Sequence, residues 1–69
     1  MTPADAAQVE VLRLGELRYQ LSDFAAKLHS LAFLEASYHD NGDVATQIDQ
    51  AQMKLQAAIQ TINIQIRTL

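Results

Sequence analysis

Apolar residues in the first half of the chain step by three and four. Leu14, Leu17, Leu21, Phe24, Leu28 and Leu31 follow one another in that alternation, and Tyr38 returns to the row one heptad after Leu31. This is the signature of a long helix with a heptad seam on one face. Ala25 and Ala32 widen the seam on one side. In the second half, Ile48, Leu55, Ile62 and Leu69 recur every seven residues, with Ala51 and Ala58 on one side and Ile59 and Ile66 on the other. Between the halves stands His39-Asp40-Asn41-Gly42-Asp43. Asn-Gly tolerates positive φ and ends a helix, after which Asp43 can cap the next one. Thr2 as a cap, Pro3 at the first helical position and Asp5 in the first turn mark the start of the first helix. The pattern predicts a helix over 3–39, a turn at 40–43 and a helix over 44–68. The expected fold class is therefore all-α, a single two-helix antiparallel hairpin across residues 1–69.

Folding the chain at this turn pairs positions whose numbers sum to about 83, as neighbouring antiparallel helices require. Leu28 then meets Leu55, and Leu21 meets Ile62. Phe24 faces Ala58 and Ile59, and Leu31 faces Ala51. Large residues meet small ones, which lets layers interdigitate. Leu14, where the strict seam begins, falls opposite Leu69. Residues 1–12 find no partner in the second helix and overhang by about three turns.

A second apolar stripe runs along the first helix. Leu12, Tyr19, Ala26 and Phe33 also recur every seven residues, and at about 100° per residue they lie nearly opposite the seam. Met53, Ala57 and Ile64 form a weaker counterpart on the second helix. Scattered surface apolars are common in soluble proteins. A regular row with aromatics instead points to contact with another chain, either a second copy completing a four-helix bundle or a different protein. Gln47, Gln50, Gln52, Gln56, Gln60 and Gln65 coat the second helix. Their amides suit a surface that is sometimes covered, and equally an ordinary solvated face.

Length strengthens the case for a partner. A chain of 69 residues buries only about 60% of its unfolded surface, so such domains usually add disulfides, metals or other chains. There is no cysteine, which removes disulfides and thiolate metal sites. A hydrophobic share of 49% against 19% charged residues is too apolar for a disordered tail. The five cations, Arg13, Arg18, Lys27, Lys54 and Arg67, are dispersed in a chain of net charge −3. Nucleic-acid binding needs clustered cations, so no nucleic-acid partner is expected. No stretch reaches the roughly 20 apolar residues of a membrane span. The opening Met1-Thr2-Pro3-Ala4-Asp5 lacks the basic start and apolar run of a secretory signal. A cytoplasmic protein is the expectation.

Few residues invite a chemical reading. Glu35 and His39, four apart beside Asp40, can present two metal ligands on one helix face. A site needs three or four, and His29 lies too far along the helix to join them. The ordinary role of His39 is to interact with the helix dipole near a C-terminus. Glu35 holds a seam position, where a polar residue can fix register; so near the turn, we expect it to reach water. Asp23 and Lys27 are spaced for an ion pair. Gly15 lies inside the first helix, where we expect plain tolerance. There is no nucleophile–base constellation and no phosphate-cradling glycine loop. We expect no enzyme, no cofactor and no metal.

The turn Asn41-Gly42-Asp43, the block Gln52-Met53-Lys54-Leu55-Gln56-Ala57-Ala58-Ile59 and the isoleucine-rich Ile59-Gln60-Thr61-Ile62-Asn63-Ile64 resemble the small helical-hairpin co-chaperones of type III secretion needle subunits. The likeness does not extend to residues 1–12. It implies a cytoplasmic subunit that pairs with a larger helical-repeat chaperone and helps to hold a secreted subunit monomeric before export. The competing expectation is a self-assembling helical bundle with a small regulatory or structural role.

Overall fold

The computed structural model describes residues 2–69. Met1, part of the expected overhang 1–12, lies outside the described residues. The fold is a two-helix antiparallel hairpin: α1 spans Pro3–Ser37 and α2 spans Gly42–Arg67. The Thr2 hydroxyl accepts from the Asp5 backbone N–H at 3.2 Å and donates to the Asp5 carboxylate at 2.8 Å. This reciprocal pair settles two groups at the start of α1, much as a capping box does. A 35-residue helix is about 52 Å long, so α1 alone sets the 55 Å length of a molecule only 14 by 12 Å across.

The turn differs from the sequence reading. It occupies residues 38–41, two earlier than expected, and Asp40 rather than the Asn-Gly pair takes the positive φ, at 50°. The cause lies in Glu35. The Asn41 backbone N–H donates to the Glu35 carbonyl at 2.8 Å, and the Asn41 side-chain amide donates to the Glu35 carboxylate at 3.2 Å. Asn41 is thereby held against α1, and its side chain makes no cap bond to α2. Asp43 becomes a first-turn residue of α2 instead of its cap, where its charge suits the helix dipole. Glu35 is partly buried and ties the turn, which is more than a carboxylate merely reaching water.

The core also departs from expectation. Leu14, Ala25, Ala32, Ala45 and Ile62 are the buried residues. With the partly buried Leu21, Leu28, Ile48, Gln52, Leu55, Ile59 and Ile66 they form two rows alternating by three and four. In α1 that row runs 14, 21, 25, 28, 32, with the exposed Arg18 at the one remaining step, and the row expected through Leu17, Phe24 and Leu31 is turned out. Phe24 is 57% exposed and Leu31 50%. Two rows of α1 adjoin Leu14–Leu21–Leu28, one of leucine and phenylalanine, the other of alanine. Alanines let helix axes approach closely, and α2 offers Ile59 and Ile66 to fill the space beside them. Large still meets small, with Ala25 and Ala32 supplying the small partners; Ala51 is turned out, while Ala58 stays partly buried.

Register follows from the earlier turn. The Arg18 guanidinium donates to the Asn63 side-chain oxygen at 2.7 Å, whereas the sequence pairing would place Arg18 opposite Gln65. Among the described residues this is the one side-chain hydrogen bond joining the helices away from the turn. At the open end the same shift undoes the expected closing layer: Leu69 lies past the end of α2 and is 52% exposed, although it borders a shallow recess with Leu14, Glu10 and Arg13.

Gly15 causes neither a bend nor a close approach. α1 runs through it unbroken, and a Cβ there would meet nothing within 4 Å. Gly15→Ala should therefore stabilise the hairpin by about 0.4–1 kcal/mol, through helix propensity and the lower entropy of the unfolded chain. A urea melt is the check, and a destabilised variant would show that something needs the gap.

Candidate interaction surfaces

Because only one sector of each helix faces the other, the remaining sectors can be ordered around the hairpin at about 100° per residue. The Arg18–Asn63 bond marks one flank. On α1 this flank carries Ser22 and His29, and on α2 it carries Gln56 and Asn63, so it is polar. The opposite flank is apolar next to the seam, with Lys27 and Lys54 at its outer edges. It presents Leu17, Phe24 and Leu31 from α1 beside Ala51 and Ala58 from α2. Sequence reasoning placed these side chains in the core. The signal that would have moved them was Arg18, which shares the spacing of Leu14, Leu21 and Ala25 and brings a polar partner to that side of the seam.

The sequence-predicted stripe stands clear of the seam, as its spacing requires. Tyr19 is 70% exposed and Phe33 58%, and Leu12 and Ala26 are exposed with them. Tyr38, expected to return to the seam, instead packs edge-on against Phe33 with ring centroids 6.3 Å apart. This geometry suits the opposite charges of ring edge and ring face. It extends the stripe to the turn, so three aromatic rings lie along one edge of α1.

Met53, Ala57 and Ile64 are likewise exposed, on the outer side of α2. Met53 and Ala57 line a shallow groove with Asp49, Gln52, Gln56 and Gln60. The two predicted groups do not merge. Each lies roughly opposite its own helix's seam, and the polar flank separates them. Amides of Gln52 and Gln56 border the α2 group, a setting that can accept a partner's polar groups without leaving a charge buried.

Two ion pairs, both within α1, are local. Lys27 reaches Asp23 at 3.0 Å and also lies 5.8 Å from the centre of the Phe24 ring. Arg13 holds Glu10 through a forked contact, and this hydrogen bonding together with the guanidinium charge keeps the exposed Glu10 carboxyl below its usual range. Among the described residues, no three His, Asp or Glu side chains gather as a metal site would need, and none of the helices is long and apolar enough to cross a membrane. No protein-family model matches the chain, and neither a curated protein nor a solved structure matches it.

Proposed function

We propose that this hairpin is a non-enzymatic protein-interaction module, a small co-chaperone whose aromatic edge on α1 holds a helical partner. The observation that carries the reading is the Tyr19–Phe33–Tyr38 edge, apolar and exposed along more than half of α1. Aromatic side chains supply much of the energy of protein interfaces because they bury large area at little conformational cost. The resemblance of the turn and of the Gln52–Ile59 block to needle-subunit co-chaperones supplies the partner class. On that reading the partners are a larger helical-repeat chaperone and a secreted subunit, engaged in the cytoplasm before export.

Changing Tyr19 and Phe33 together to serine tests this. Both side chains are exposed, so the hairpin should keep its helix content by circular dichroism. Co-expressed helical-repeat chaperone should co-purify with the wild-type chain and be lost from the double variant, with affinity lowered about 100-fold or more if each ring contributes roughly 1.5 kcal/mol. A variant that keeps this partner at wild-type affinity would show the edge to be ordinary surface.

A further inference from the structure

The turn joins two residues that can react with each other. Asn41 is followed by Gly42, and a glycine nitrogen carries no side chain to hinder its attack on the amide before it. The other asparagine, Asn63, is followed by the β-branched Ile64 inside α2 and accepts from Arg18 at 2.7 Å. Gly42 is exposed, and a Cβ on it would meet nothing within 4 Å. As the first residue of α2, it has no carbonyl within that helix to take its N–H.

We propose that Asn41 is a self-modification site, deamidated through the Gly42 nitrogen, and that its tie to Glu35 holds the reaction back until the turn opens. The Gly42 nitrogen gives its proton to hydroxide and attacks the side-chain carbonyl carbon of Asn41. A new C–N bond closes a cyclic imide, the bond to the amide nitrogen breaks, and ammonia leaves. Water then opens the ring to aspartate or isoaspartate. The sum is amide plus water to carboxylate plus ammonium, with no oxidant or reductant. The folded turn resists the first step. Asn41 has φ −116° and ψ 65°. At that ψ the Gly42 nitrogen lies anti to Cβ across the Cα–C bond, whereas the cyclic imide needs both on the same side. The Asn41 backbone N–H donates to the Glu35 carbonyl at 2.8 Å and its amide to the Glu35 carboxylate at 3.2 Å, so both groups are drawn toward α1.

The product cannot be tied in the same way. An aspartate at 41 still suits the start of a helix. It nevertheless turns an acceptor and a charge toward a carboxylate that had held a donor. The side-chain bond between the turn and α1 is lost for good, so the modification runs one way. It involves none of the Tyr19–Phe33 edge, and it and the co-chaperone reading can fail separately.

The test incubates the full chain in mildly alkaline buffer, folded and in urea, and follows aspartate and isoaspartate at positions 41 and 63 by peptide mapping. In urea Asn41 should convert well ahead of Asn63, and Gly42→Ala should slow it severalfold. Folding should slow Asn41. Glu35→Ala, with helix content retained, should speed the folded chain about 10-fold, the lower end of what a hydrogen bond to a charged group is worth. Glu35→Gln keeps an oxygen that can accept from the Asn41 amide and should stay near the wild-type rate. Urea melts at neutral pH then test the product. Asn41→Asp should lower the folded-to-unfolded ratio about 5-fold more in the wild-type background than beside Glu35→Gln. Conversion of Asn41 no faster than Asn63 in urea would overturn the site. Conversion as fast in the folded chain as in urea, or a helical Glu35→Ala chain at the wild-type rate, would overturn the protection. Should Glu35→Ala unfold, equal costs of Asn41→Asp in the two backgrounds would overturn the role of Glu35.

Discussion

Ile62→Ala should cost the hairpin about 2–5 kcal/mol, the range for emptying a buried aliphatic site. Ile62 is 6% exposed, the most buried large side chain of α2. Native stability runs at roughly 0.05–0.15 kcal/mol per residue, so a chain of this size holds only about 3–10 kcal/mol in all. Losing several of these should leave much of the population unfolded at room temperature. The cost is high because the interior is one seam deep. No second layer of side chains can relax into the vacancy, and α1 cannot collapse onto it without breaking contact elsewhere along the row. Urea melts at one fixed protein concentration measure the loss. Met53→Ala, exposed on the far side of the same helix, should change stability by less than about 0.5 kcal/mol. A cost for Ile62→Ala no larger than that for Met53→Ala would mean that α2 turns a different face inward.

The hairpin itself was legible because its signals repeat. The seam residues Leu14, Leu21, Leu28, Ile48, Leu55 and Ile62 recur over several heptads, and one misplaced residue cannot erase such a period. The N-terminal cap was legible because Thr2, Pro3 and Asp5 act within four residues of one another. What the sequence could not settle was which flank of the seam closes. Leu17–Phe24–Leu31 and Arg18–Ala25–Ala32 both adjoin the shared row. Hydrophobicity favours the first, while close backbone approach favours the second. That choice depends on what α2 offers across the gap, a tertiary matter that periodicity does not encode. The turn was misplaced for a related reason. Asn41-Gly42 has the local preference for positive φ, but the bonds from Asn41 to Glu35 reach six residues back and outweigh it. The exposure of the aromatic stripe was legible because it depends on α1 alone. Its association with Tyr38 depends on how α1 ends, and it was missed.

The choice of flank can be tested with one substitution made at two adjacent positions. Ala25 is 2% exposed, the least exposed side chain of the hairpin, and Ala26 beside it is exposed on the aromatic edge. Leucine at either position is a good helix former, so intrinsic propensity changes little. At position 25 the added carbons must enter the buried seam. They would force α1 and α2 apart or push Leu55 and Ile59 from their rotamers, and such overpacking costs about 1–3 kcal/mol. At position 26 the same carbons enter solvent, and the change should stay within about 0.5 kcal/mol. If Leu17, Phe24 and Leu31 formed the core, Ala25 would lie at the margin of the seam and Ala25→Leu would be tolerated or stabilising. Urea melts of the two variants, run at one concentration beside the wild type, therefore separate the two packings. Equal midpoints for both variants would return the leucine row to the interior.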